Sequence, residues 1–519
     1  MISLLTSLGE VMAQEKPNIA SYADVQTLAK ATAGKDYVPQ PVIPQFLKEM
    51  TYDEFRHIGF TDGKEIWNDT ILPFRLGFYH KGYVAVDDVK LNIVSDAKSK
   101  SLPFSKNYFH YLGDAAKLSI PDDLGFAGFR VKTVFPGDIQ LQEIFSFVGA
   151  SYFRARAANT ILGTSTRGLA LDCGLPKVEE FPIFREYWIV KPKPGDATLK
   201  VFALMDSPSV SGAYEFLLTA GNVATTIDVH ETLYFRKAPE KVGIAPMSSM
   251  WLWGDGLKGP EGDHRPEVHD SDGLQVLEQD GKWLWRALNQ QSYPSIVQLP
   301  YQNSFKGFGL IQRDTRKESY LDDEALYHMR PSVWIEPKSD WGAGRLELLE
   351  LDAPHEGIDN IAAWWVPEKK IEPGSSIELS YQISYFLGDR PEHDKAKAVS
   401  HRVTRDADGT IFLEVDFNGP GLDYRDASKP PVIQILSIRA AVTENKCEKS
   451  DKGLWTAKMT VKPTKEGPIE LRIGLKDGEE QFSETWSYLC PLVPPKVELP
   501  PWKKKPAAEA DVKAEKPAH

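Results

Sequence analysis

Apolar and polar residues alternate with period two over Thr198–Asp206 (TLKVFALMD) and Ile377–Leu387 (IELSYQISYFL). That alternation predicts strands with one buried and one wet face. From about residue 71 the chain keeps to strand, turn, strand, with turn clusters at 193–196 (KPGD) and 372–375 (EPGS) between the apolar runs. Helical spacing is confined to the start. Tyr22–Ala33 predicts one short helix ending before Gly34, and Thr51-Tyr-Asp-Glu-Phe-Arg a briefer one, with Thr51 as cap and Glu54 three residues on. Without long helices alternating with the strands, a doubly wound α/β fold is excluded. The expected fold is all-β, a large N-terminal antiparallel sandwich over 21–388.

A polar stretch without periodicity, Gly388-Asp-Arg-Pro-Glu-His-Asp-Lys-Ala-Lys-Ala, predicts a linker over 389–400. Five strand candidates follow, at 410–417, 432–442, 454–461, 469–475 and 484–489, which predict a small immunoglobulin-like sandwich over 401–495. The Pro-, Lys-, Ala- and Glu-rich segment 496–519 is expected to be disordered. Residues 1–20 are expected to be either disordered or the remnant of an export signal, being mildly apolar but without a basic start.

A 519-residue chain suggests two or three domains, and 42% hydrophobic and 26% charged residues fit a globular protein. No apolar run is long enough to span a bilayer. The net charge of −12 argues against nucleic-acid binding, which needs a basic surface. Cys173, Cys447 and Cys490 make neither a disulfide framework nor a zinc spacing; Cys447 and Cys490 pairing and three free thiols both stay open.

The candidate chemistry concentrates between Gly243 and Pro367, which holds eight of the 13 Trp together with Asp270, Asp272, Glu336, Glu356 and Asp359. Aromatic rings beside carboxylates suit carbohydrate, since rings stack on sugar C–H faces and carboxyls move protons. The same Trp residues also suit an ordinary sandwich core. Asp-Ser-Asp-Gly at 270–273 is equally a turn signal, with Gly273 at positive φ. His269-Asp270-Ser271-Asp272 hints at a metal, but no second His/carboxylate cluster stands near it, so no metal and no cofactor is expected. Arg265 and Arg330 read either as clamps for sugar hydroxyls or as partners of nearby carboxylates.

A series of short motifs resembles the periplasmic glucan biosynthesis proteins of the G and D type. They include Leu124-Gly-Phe-Ala-Gly-Phe-Arg, Phe147-Val-Gly-Ala-Ser-Tyr-Phe-Arg-Ala, Ser165-Thr-Arg-Gly-Leu-Ala and Gly243-Ile-Ala-Pro-Met-Ser-Ser-Met. Val268-His-Asp-Ser-Asp, Gly307-Phe-Gly-Leu-Ile-Gln-Arg-Asp, Arg330-Pro-Ser-Val-Trp-Ile-Glu-Pro, Asp359-Asn-Ile and Ser483-Glu-Thr-Trp-Ser-Tyr continue the series. The resemblance implies a cleft in the large sandwich, export to the periplasm, and anomer-inverting endo-hydrolysis of β-1,2-glucan. It implies Asp359 as general acid, Asp270 as general base acting through a relay, and Tyr327 as positioner and proton relay. Trp334, Trp251, Trp253, His269, Asp272, Arg265, Arg330 and Glu356 are the expected substrate contacts. Ile358, Ile361, Trp364 and Trp365 are expected to give Asp359 an apolar setting that keeps it protonated, while a polar loop keeps Asp270 ionised. Hydrolytic relatives carry a longer covering loop after the linker, whereas Ser400–Ile411 is short here, which predicts a wetter cleft. Two alternatives stay open: a glucan-binding scaffold for a membrane glucan synthase, and a transglycosylase forming cyclic glucan. A homodimer is also left open.

Overall fold

The computed structural model describes residues 17–498 apart from 304, 492 and 494. The signal-remnant expectation for 1–16 and the tail expectation for 499–519 lie outside the described residues. At both margins the ordered chain extends further than predicted. Ile19 is buried against the first helix and the Asn18 side chain donates to the Ala97 carbonyl, while Val497 packs beside Met250, Trp253 and Tyr327.

Both helices form where the spacing placed them, at Tyr22–Ala33 and Tyr52–Phe55, each closed by a capping box, Ser21 with Asp24 and Thr51 with Glu54. One four-residue helix, Gln45–Lys48, had no periodicity to announce it. Most of the other regular structure among the described residues is β, and its frame is two large sheets of ten and fifteen strands. A single apolar core lies between them, filled by Phe78, Phe129, Phe147 and Phe216 at one end and by Trp341, Trp365 and Tyr381 at the other. This is the all-β sandwich architecture the alternation predicted.

Thr198–Asp206 forms the strand expected, yet it is buried on both faces beyond its first residues. Helix Tyr22–Ala33 covers the face expected to be wet, with Val25 and Ala29 packed on Phe202 and Leu204. Local alternation cannot register a helix that arrives from 175 residues away in sequence.

The C-terminal strands make a second core around Trp455, Phe417, Ile473 and Trp486. The expected strand 432–442 divides into Val432–Ile438 and Ala440–Lys449, because Arg439 takes a left-handed φ of 66° and the chain changes sheets there. Val432–Ile438 belongs to the fifteen-stranded sheet and Ala440–Lys449 to a separate four-stranded one. The fifteen-stranded sheet is continuous with the N-terminal sandwich through parallel pairing of Leu284–Arg286 with Thr485–Ser487.

The 389–400 segment is therefore not a free linker. Lys397–Arg405 is already a strand, paired with Ile411–Asn418, and His393, Ala396 and Ala398 are buried. Polar composition concealed this, since the segment is held by ion pairs rather than by apolar alternation. In limited digestion with subtilisin, cuts beside the fully exposed Tyr424 are expected before any cut within 389–400. Mapping fragment ends by mass spectrometry checks the order, and early cleavage within 389–400 would contradict it.

Candidate functional site

Asp359 sits at the end of a loop just before the Ile361–Pro367 strand. Its neighbour Asn360 is the anchor. The buried Asn360 amide accepts from the Trp251 N–H at 2.9 Å and donates to the Trp251 and Leu351 carbonyls at 2.8 and 2.9 Å. With the amide fixed on three backbone groups, the preceding carboxylate is presented to a cleft of about 870 Å³.

Asp270 reaches the same cleft from another segment. Val268–His269 pairs with Trp251–Trp253, and the Asp270 N–H donates to the Met250 carbonyl at 2.8 Å. Ser271 is buried beneath, with its hydroxyl 2.8 Å from that of Ser249. Gly273 does not take the positive φ of a turn; it opens the Gly273–Leu277 strand, where a Cβ would lie 2.4 Å from the Trp285 ring. The backbone bends at Asp270 and again at Asp272, so these side chains, two apart, do not share a face as they would in a regular strand. Asp270 lines the Asp359 cleft, whereas His269 and Asp272 line a second pocket of about 510 Å³.

Tyr327 opens a 3-10 turn entered through Leu326 at a left-handed φ of 52°, and its buried ring lines the Asp359 cleft. Arg330 reaches across the ring, 5.7 Å from its centroid, and donates to the Leu162 and Ala325 carbonyls at 2.8 and 2.9 Å. Its Nε lies 3.3 Å from Asp270 Oδ1, a charge contact that leaves this oxygen without a hydrogen-bond donor. Arg265 and Glu356 form the far wall. Arg265 is saturated by Asp263, Asp322 and Glu356 at 2.8 to 2.9 Å and lies over the Trp253 ring, so it builds the cleft instead of reaching for hydroxyls.

Two side chains that sequence reasoning passed over belong here. Tyr152–Ala155 is a strand whose Phe153 and Ala155 enter the core, so Tyr152 and Arg154 share the opposite face. Arg154 lines the cleft and acts electrostatically on both Asp270 and Asp359, and Tyr152 is close enough to feel the Asp359 charge. Both lie within a motif already noted for its resemblance, and the alternation Tyr-Phe-Arg-Ala was the available signal.

The tryptophans do not stack in this cleft. Trp253 is wholly buried and its indole N–H donates to the Arg265 carbonyl at 3.0 Å. Trp251 lies parallel to the His269 ring on the second pocket's side. Trp334 packs under Gly307 and Arg390 at a different place on the fifteen-stranded sheet. Trp364 and Trp365 are fully buried on the Ile361–Pro367 strand, Ile358 is exposed, and the groups acting on Asp359 are Arg154, Asp270 and Arg330. The apolar setting expected for Asp359 is therefore a charged one. Clustering of Trp in sequence marked dense packing between strands, not a sugar platform.

Asp359 is open to water on the cleft side and enclosed by protein on the others. That enclosure pushes its carboxyl above the usual aspartate range; Arg154 and Arg330 oppose the shift and the Asp270 charge adds to it. Burial raises Asp270 as well, against the pull of Arg330, His269 and Arg154. The ionised state expected from a polar loop therefore depends on those cations. Tyr327 is raised far beyond the phenol range by burial and by the Glu356 and Asp270 charges, so it keeps its proton. On the other side of the segment, burial opposes charge on the His269 ring, but Asp272 and Glu267 outweigh it and push the ring up to about 9.

The profile of the family described as periplasmic glucan biosynthesis protein, MdoG, matches residues 20–490. The chain belongs to this family. Among curated relatives it is 36% identical over 489 residues to glucans biosynthesis protein G of Serratia proteamaculans, covering 91% of this chain and 93% of that one. It is 38% identical over 490 residues to the protein of the same name from Pseudomonas paraeruginosa, with the same coverage. Among solved structures, a GH36 α-galactosidase from Geobacillus stearothermophilus aligns at 9% identity and a TM-score of 0.26, over 50% of this chain and 39% of that one. Asp359, Asp270 and Tyr327 line one cleft of this chain.

Proposed function

We propose that the protein works in the periplasm on β-1,2-glucan as an anomer-inverting endo-glycoside hydrolase. Asp359 is the general acid that protonates the leaving oxygen, and Asp270 is the general base that activates water through a relay including Tyr327. The observation that carries this reading is the pair of carboxyls in one cleft, each raised by burial and each within the field of Arg154 and Arg330. Inversion needs one carboxyl protonated and one ionised, and a pair whose charges repel favours that singly protonated state. Transfer to a second sugar requires exclusion of water. Asp359 is water-accessible, and the cleft is not lined by residues 388–411, so hydrolysis suits it better than cyclisation. The decisive experiment incubates the protein with linear β-1,2-glucan, resolves products by chromatography and follows their first-formed anomer by NMR. Shorter chains with inverted configuration are expected. Binding without any new reducing end would favour the scaffold serving a membrane synthase.

The same pair sets the pH profile. Activity is expected to rise with pH as Asp270 ionises and to fall as Asp359 loses its proton. Because both carboxyls are raised, both limbs should stand above the free aspartate value of 3.8, and they report the pair rather than either residue. Replacing Arg154 by Met removes a cation that favours both carboxylates, so the whole kcat/KM bell should move to higher pH. A profile that stays in place would remove Arg154 from the site.

A further inference from the structure

We propose that Glu267, His269 and Asp272 form a binding site for one divalent first-row transition cation, on the opposite side of the 267–272 segment from the glucan cleft. One ligand atom from each of the three side chains lies within 4.8 Å of the others. A tetrahedral ion with bonds of about 2.0–2.2 Å sets its ligand atoms roughly 3.3–3.5 Å apart, and His269 Nε2, 2.9 Å from Glu267 Oε2 and 3.4 Å from Asp272 Oδ1, needs only small adjustments to share one.

His269 and Asp272 are each held by a partner outside the triad. The Gln312 amide donates to the His269 and Tyr327 carbonyls at 2.8 and 3.1 Å, which fixes its oxygen 2.9 Å from His269 Nδ1. Nδ1 therefore carries a hydrogen, and Nε2 is the nitrogen turned toward the two carboxylates. Asp272 Oδ2 accepts from the Asp314 N–H at 2.8 Å, which leaves Oδ1 for the ion. This outer ring of hydrogen bonds is what orients a metal-binding imidazole and carboxylate, and a plain ion pair does not require it.

The surrounding field also favours a cation. Asp255 lines the same pocket and adds a further carboxyl to those of Glu267 and Asp272. The arginines lining the pocket are committed elsewhere: Arg313 to Glu484 and Asp389, Arg316 to Asp314, and Arg402 to Asp416 and Glu414. Lys452 also lines the pocket. One imidazole with two carboxylates selects zinc and its first-row neighbours, whereas calcium prefers an all-oxygen shell. The His269-Asp270-Ser271-Asp272 motif supplies two of the ligands, and Glu267, two residues upstream of His269, completes the set.

The test is isothermal titration of chelator-treated full-length protein with ZnCl2 at neutral pH, with CaCl2 in parallel, followed by thermal melts. One Zn2+ per chain is expected, with a rise in melting temperature and no saturable Ca2+ uptake. Glu267→Gln and His269→Ala should each weaken Zn2+ binding by about tenfold or more, as loss of a ligand or its support does. If His269→Ala does not fold, Glu267→Gln alone decides, because that side chain is partly exposed at the pocket edge. Absence of saturable Zn2+ binding, or binding of equal strength in Glu267→Gln, would overturn the site, the latter by assigning uptake to other histidines. Stoichiometric Ca2+ binding would overturn the assigned class of ion. None of these readouts depends on glucan turnover, so failure here leaves the hydrolase reading standing.

Discussion

Asp359→Asn is expected to abolish cleavage of β-1,2-glucan while leaving glucan affinity nearly unchanged. The amide keeps the shape of the carboxyl but has no acidic proton to give, and loss of general-acid help typically costs about 10²–10⁴ in rate. The structure makes this a clean substitution. Asp359 faces the cleft, while the anchoring of its loop rests on Asn360. Asp270→Asn should lose turnover to a similar degree if this carboxylate starts the relay to water. It removes the charge beside Arg330, which still keeps its bonds to the Leu162 and Ala325 carbonyls. Tyr327→Phe should be milder, since the ring still fills its place against Tyr320 and Arg330. Turnover and affinity measured together for wild type and the three variants separate chemistry from binding. Turnover that persists in both Asp variants would falsify the assignment, and a wild type without turnover but with tight binding would point to the scaffold.

What could be read along the chain was whatever local spacing controls. The helices Tyr22–Ala33 and Tyr52–Phe55 were legible because caps and periodicity are properties of a few adjacent residues, and Thr198–Asp206 and Ser376–Phe386 were legible for the same reason. Contacts between distant segments were not. Nothing near Thr198 says that Val25 and Ala29 will cover its outer face, and nothing near Trp334 says that it will pack beneath Gly307. The candidate site shows the same division. Resemblance placed Asp359, Asp270 and Tyr327, and they do share a cleft, but it could not say that Asp270 and Asp272 face opposite ways. The bends at those two residues decide that, while strand alternation turns Arg154 into the cleft on the same face as Tyr152. The sugar-stacking expectation failed because Trp content is shared between cores and binding faces, and only packing separates the two.

The polar 389–400 segment is where composition misled most, and it carries the second large effect. Glu484 is fully buried, and its carboxylate takes a bidentate pair from Arg313 at 2.7 and 3.1 Å, a bond from His393 at 2.8 Å and the Ala398 N–H at 2.9 Å. Arg313 in turn meets Asp389 at 3.0 Å and lies 3.6 Å from the Trp285 ring centroid. One carboxylate thus joins the segment, the last C-terminal strand and the end of the Gly307–Ile311 strand. Glu484→Ala leaves the buried Arg313 guanidinium with Asp389 and the Ala398 carbonyl but without its bidentate carboxylate, and breaking such a pair costs about 3–5 kcal/mol. Urea unfolding should show a loss of that size, and subtilisin should now cut within 389–400 early. Burial raises the Glu484 carboxyl, but Arg313 and the His393 hydrogen bond outweigh it and hold the group below its ordinary 4.5. A depressed carboxylate stabilises the fold above its unfolded value and loses that contribution as pH falls through the folded one. Wild-type stability should therefore drop as pH falls below about 4.5. Glu484→Gln should be less stable near neutrality and show a shallower acid loss. An unfolding midpoint unchanged in both variants would mean that the joint rests on strand pairing alone.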